Sequence, residues 1–155
     1  MRRRISFVFA LVVCVAAAVA APAYSQEPTI VTDITFPEEG EPFGTFTAAE
    51  PLCPSGTFVD EFVGGGGAFK SGRVFYHAFT VRKTFTCADN SGTFTILFHP
   101  QLTRATPAGC EEAGPFAVIG GTGEFADLHG RGQFCVFPTG ENSFSETFTG
   151  TFTLR

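Results

Sequence analysis

Val74-Phe75-Tyr76-His77-Ala78-Phe79-Thr80-Val81-Arg82-Lys83-Thr84-Phe85-Thr86-Cys87, then Ala88-Asp89-Asn90-Ser91, then Gly92-Thr93-Phe94-Thr95-Ile96-Leu97-Phe98-His99-Pro100 is the stretch that decides the fold. Side chains alternate across a strand, so Phe75, His77, Phe79, Val81, Lys83, Phe85 and Cys87 share one face of the first segment. Phe94, Ile96, Phe98, Pro100 and Leu102 share one face of the second, which runs on to Arg104. A two- or four-residue turn pairs odd positions of one strand with even positions of the other, so the two apolar faces coincide. Turn length and hydrophobic pattern thus specify the same antiparallel hairpin.

Outward from this hairpin the same chemistry continues. Gly-Thr-Phe starts a segment at Gly44, Gly56, Gly92 and Gly150, at irregular intervals, which is shared strand-start chemistry and no solenoid or propeller repeat. Pro115 to Ile119 reads as a strand, and Gly130–Phe137 pairs with Phe144–Leu154 across Pro138–Ser143. Gly64 to Gly67 reads as a flexible connection and Ala105 to Gly114 as a loop pinned by Cys110. Residues 24–41 form a lead-in, with Ile30 to Phe36 as a candidate first strand, and residues 42–155 form the domain. No helical period extends over ten residues. Seven or eight strands in about 130 residues make an all-β domain, either a closed antiparallel barrel of about eight strands or a β-sandwich. The barrel is preferred because it leaves no open edge on such Phe-rich strands.

Composition sets the compartment. Arg2, Arg3 and Arg4 precede an uncharged run from Ile5 to Ala21, and Ala21-Pro22-Ala23 supplies small residues for cleavage. This reads as a secretory signal peptide over residues 1–23, since the run falls short of the roughly 20 residues of a membrane span. Val13 before Cys14 is the wrong residue for lipidation. The protein is therefore expected to be secreted, with no membrane anchor after cleavage.

Cleavage leaves seven basic against 15 acidic residues, a charge of −8, which repels nucleic acid and anionic lipid. It also leaves 18 of the 20 Phe and four of the five Cys: Cys53, Cys87, Cys110 and Cys135. An even count outside the cytoplasm favours two disulfides with three connectivities, and the expected one is Cys53–Cys87 with Cys110–Cys135. No C-x-x-C pair suggests zinc, and His77 and His99 fall on opposite faces of the hairpin, so no metal is expected.

Most catalytic signatures fail. Gly121-Thr122-Gly123-Glu124-Phe125-Ala126 fits G-x-G-x-x-A, but Gly130 and Gly132 leave no room for the helix that a dinucleotide site needs. There is no phosphate-loop lysine and no G-x-S-x-G elbow, and no cofactor is implied. One pattern survives: Asp60, His77, Lys83 and Glu146 each lie between apolar residues on a Phe-bearing face. Ionisable groups facing an apolar interior are expensive unless paired, and pocket acids and bases are built this way. The cheaper arrangement puts them at the barrel rims, with Asp60–Lys83 or Lys83–Glu146 pairs facing water.

The segment Ile119-Gly120-Gly121-Thr122-Gly123-Glu124-Phe125-Ala126-Asp127-Leu128-His129-Gly130-Arg131-Gly132 resembles the GGTGxF…GxG segment of the allene oxide cyclase and dirigent-like barrel proteins. Small secreted bacterial relatives of that barrel carry segments similar to Cys53–Gly56 and Cys87–Thr95. The resemblance covers roughly residues 42–154 and implies an eight-stranded antiparallel barrel with a lumen of small-molecule size and no cofactor. It also implies glycines that make a tight crossover, and it admits a homo-oligomer. The resulting expectation is an exported barrel that binds a small apolar molecule or serves as an interaction module, with Lys83 and Glu146 as ligand-binding residues. A rival expectation is a cofactor-free isomerase or cyclase with Asp60 and His77 as catalytic groups. A third is a barrel filled by its Phe side chains, with a structural or surface-interaction role.

Overall fold

A computed structural model describes residues 29–71, 74–100, 110–141 and 143–155, without the side chains of residues 66–78. The signal segment and Leu102 lie outside the described residues. Eight strands follow one another: β1 Thr29–Thr35, β2 Phe43–Ala48, β3 Ser55–Ser71, β4 Val74–Cys87, β5 Gly92–Phe98, β6 Glu112–Gly123, β7 Leu128–Gly140 and β8 Ser143–Leu154. Each pairs antiparallel with its neighbours, and β8 returns to β1, so the sheet closes into a barrel. The sandwich alternative is thereby set aside.

The register follows the alternation in the sequence. In the deciding hairpin Phe85 faces Phe94, Lys83 faces Ile96 and Val81 faces Phe98, odd against even. Asp89 closes the turn by accepting from the Ser91 amide at 2.9 Å, and Asn90 takes a positive φ of 63°. The second predicted hairpin also forms, with Gly130 opposite Phe152 and Phe137 opposite Ser145. Inward positions carry Ile30, Phe46, Phe58, Phe85, Phe94 and Phe148, all buried. Between them Thr45, Thr57, Thr93, Thr95, Thr149 and Thr151 face outward along the strands. Apolar side chains thus line the inside, while the outside carries threonine together with the exposed Val31, Phe43, Val59 and Ile119.

Several boundaries differ from the sequence reading: β5 ends at Phe98, with His99 and Pro100 outside it, and β7 runs from Leu128 to Gly140, so Pro138 pairs with Phe144 where a connection was expected. The candidate strand Ile30–Phe36 is β1, Thr29–Thr35, and it closes the barrel, so the lead-in supplies one of its staves. Gly64 to Gly67 is no free connection: β3 runs through it, paired with β4 and broken by bulges between Phe62 and Gly64 and between Gly65 and Gly67. Glycine accommodates the extra residue of a bulge, and Gly65 uses its freedom with a φ of 91°. The predicted strand Pro115–Ile119 extends to Glu112–Gly123, because Glu112, Ala113 and Gly114 pair with Val136, Cys135 and Phe134.

The two ends of the barrel are built differently. At one end Phe85 stacks on Phe94 at 4.6 Å between ring centres, and Phe46 meets Phe85 edge-on at 5.0 Å. Phe125, from the β6–β7 turn, closes over Phe94 at 5.6 Å. The glycine segment makes that closure: Gly123 takes a φ of 60°, and a Cβ on Gly121 would overlap the Phe125 carbonyl. Cys53–Cys87 ties the β2–β3 connection to this end, with Cα atoms 5.9 Å apart. Cys110–Cys135, at 5.4 Å, ties the start of β6 to β7 near the other end. Both disulfides have the expected connectivity.

Candidate functional site

At mid-height the Phe packing gives way to charge. Asp60 on β3 is the direct cross-strand partner of Lys83 on β4, and Thr32 on β1 is that of Glu146 on β8. In an eight-strand ring β4 and β8 stand opposite each other, so Lys83 and Glu146 meet across the lumen and join the two pairs. Its Nζ lies 3.0 Å from Asp60 Oδ2 and 2.6 Å from Glu146 Oε2. Thr32 Oγ1 donates to the same Glu146 oxygen at 2.8 Å. The ammonium also sits 3.7 Å from the centre of the Phe58 ring, within reach of its negative π-face.

None of these groups faces bulk water: relative exposure is 0% for Lys83, 3% for Asp60 and 4% for Glu146. This corrects the expectation of rim pairs facing solvent. Both predicted pairings occur at once, on one ammonium. An ion buried to this depth must be compensated by its partners, because desolvation costs several kcal/mol per charge, of order 5. Lys83 meets that requirement with two carboxylates and an aromatic face.

Two carboxylates around one ammonium leave an excess negative charge in an apolar setting. Asp60 bears it, since its Oδ1 is buried with no hydrogen-bond partner among the described residues, whereas Glu146 has the Thr32 hydroxyl as well as Lys83. Burial pushes the Asp60 carboxyl up to about 7, against the pull of Lys83 and with the help of Glu146.

Above this floor the barrel opens into a chamber of about 580 Å³. Asp60 and Glu146 line its base, Ile34, Val81, Phe98 and Val136 its walls, and Phe36, Phe62, Phe79 and Phe144 its mouth. Phe36 meets Phe144 edge-on at 5.4 Å, and Phe62 tilts against Phe79 at 5.6 Å. Glu111 and Glu112 stand on the rim beside Cys110. Burial pushes Glu112 up to about 7 as well, with Glu146 and Glu111 adding repulsion. The volume falls in the 300–1,000 Å³ range usual for small-molecule sites. Apolar walls with a few convergent polar groups are their common construction.

No family model, curated protein or solved structure matches this chain. The site is therefore read from its own chemistry.

Of the residues singled out in the sequence, Asp60, Lys83 and Glu146 come together. Lys83 lies beneath the chamber and does not line it; Asp60 and Glu146 do. His77 is opposite Ala68, six positions along β4 from Lys83, or about 20 Å of strand, and its side chain lies outside the described set. His99 turns outward, its Nδ1 3.0 Å from Thr80 Oγ1. Sequence reasoning missed Thr32 and Glu112. Thr32 alternates with Ile30 and Ile34 in the candidate first strand, so the rule applied to Lys83 places it inside, but an uncharged hydroxyl gave no reason to single it out. Glu112 was assigned to a loop, and loops carry no alternation to read.

Proposed function

We propose that this protein is an exported, disulfide-bonded β-barrel that holds a small, largely apolar molecule in its open half. The observation that carries this reading is the division of the lumen: one half is closed by stacked Phe, the other is a chamber floored by two carboxylates. A barrel evolved only for rigidity gains nothing from a charge cluster at mid-lumen, since apolar side chains of similar volume would serve stability as well or better. Export is supported by the signal-like N-terminus and by two disulfides, which persist in oxidising compartments. The likeness to allene oxide cyclase-type barrels is supported by the glycine segment and by eight antiparallel strands.

A neutral, environment-sensitive probe such as N-phenylnaphthylamine tests the reading. Saturable one-to-one fluorescence enhancement is expected, weakened by Phe144→Ala at the mouth and unchanged by Leu52→Ala at the closed end. Failure to saturate, or equal effects of both variants, contradicts it.

A second reading is favoured by one feature. Asp60 combines a carboxyl pushed up to about 7 with an unpartnered oxygen at the chamber floor, the condition of a group able to give and take a proton near neutrality. A cofactor-free isomerisation of the bound molecule would use it as the acid–base group. Turnover of a substrate found by native mass spectrometry, abolished by Asp60→Asn with binding retained, would establish this role.

A further inference from the structure

The polar groups that line the chamber have one sign. Among the described residues every ionisable side chain on its surface is a carboxylate: Asp60 and Glu146 at the floor, Glu111 and Glu112 at the rim. The nearest cation, Lys83, is sealed below them with no exposed surface, its ammonium held by both floor carboxylates and by the Phe58 ring. An anionic ligand would meet four carboxylates before it could reach that ammonium. Asp60 Oδ1, buried at the floor and unpartnered among the described residues, still needs a donor.

We propose that the chamber selects a protonated amine carried on an apolar body, its ammonium directed at Asp60 Oδ1 and its hydrocarbon part against the Phe side chains of the mouth. This deepens the ligand-binding reading and rests on it. The pairing completes the floor: two ammonium groups then face Asp60 and Glu146, and the excess negative charge is neutralised where low polarity makes such pairing strong. Phe36, Phe62, Phe79 and Phe144 supply apolar contact, and their π-faces also favour a cation that passes between them.

Binding then couples to protons. The charged groups that act on Asp60 are Lys83 on β4, Glu146 on β8 and Glu41 before β2, while Glu112, the first residue of β6, is acted on by Glu146 and by Glu111 beside it. An arriving ammonium favours the ionised form of Asp60, so a proton held there leaves as the amine enters. Affinity for the amine accordingly falls as acid protonates Asp60 and Glu112, while a neutral analogue shows no such dependence.

Phenylbutylamine, phenylbutanol and phenylbutanoate, which share one apolar body, test this by calorimetry on the full mature chain. The expected result is an amine bound about tenfold or more tighter than the alcohol near neutral pH, with the carboxylate weakest. Amine binding should also release protons, read as a dependence of the heat on buffer ionisation, and lose its advantage toward about pH 5. Asp60→Asn and Glu112→Gln should each reduce the amine's advantage while phenylbutanol still binds, which shows that the barrel is intact. Equal binding of amine and alcohol, preference for the carboxylate, or retention of the amine's full advantage in both variants overturns the charge selectivity and leaves the chamber as a ligand site. Absence of binding by all three overturns the ligand-binding reading and this inference with it.

Discussion

Lys83 Nζ on β4 lies 2.6 Å from Glu146 Oε2 on β8, the strand on the opposite side of the ring. The two side chains, meeting tip to tip, therefore span the lumen and mark where packing ends and the chamber begins. Below it, aromatic rings fill the barrel. Above it, the same fold encloses space.

Replacing Lys83 by Met removes the counter-charge of two buried carboxylates while preserving most of the volume. A loss of about 3–5 kcal/mol in folding stability near neutral pH is expected, as for other broken buried pairs. Acid, which discharges the carboxylates, should recover much of it. Urea denaturation at two pH values measures both effects, and a variant as stable as the parent would show that Lys83 is not held as described.

Asp60 and Glu112 also set the direction of the parent protein's pH dependence. Each has a folded-state carboxyl near 7, against ordinary values of 3.8 and 4.5. Between the ordinary and the folded value, the folded chain keeps a proton that the unfolded chain has released. Their contribution to stability is thus full below about pH 4, declines as pH rises toward about 7, and is flat above. Asp60→Asn and Glu112→Gln should each flatten the stability profile over that window; unchanged profiles would contradict the assignment.

How much of this was legible in the sequence depended on alternation. Wherever a strand was recognised, period two placed its described side chains on the correct face, and Asp60, Lys83 and Glu146 were found because each interrupts an apolar face. What alternation cannot give is depth along the barrel axis, which is set by register across several strands. The charges were therefore expected at the rim, whereas Asp60 and Lys83 face each other beneath a chamber. Gly64 to Gly67 hid a bulged strand because glycine has no side chain to show a pattern. Glu112 was invisible for a related reason: it pairs with Val136 next to Ala113 and Gly114, small residues that show no apolar alternation.

The two halves of the lumen should respond differently to truncation. Phe94→Ala, in the stacked half, is expected to cost about 3–5 kcal/mol by opening a cavity that its neighbours cannot fill. Phe144→Ala, at the mouth, removes contacts from a wall that already faces space, and its main effect should fall on ligand affinity. Chemical denaturation and probe binding on the two variants separate these effects.

Both bridges are expected in the mature protein, where intact mass should rise by four hydrogens on reduction. They close segments of 34 and 25 residues, so loss of either should cost about 2–4 kcal/mol. Removing Cys110–Cys135 should additionally weaken ligand binding, since that bridge holds Glu111 and Glu112 at the rim. Removing Cys53–Cys87, at the packed end, should not.

The division of the lumen is tested most directly by methyl NMR during titration with phenylbutanol. The methyl groups of Ile34, Val81 and Val136, which line the chamber, are expected to shift and saturate together, while those of Leu52 and Leu128 in the packed half stay in place. Shifts absent from the first set, or spread equally over both, would contradict a barrel that is full at one end and open to a ligand at the other.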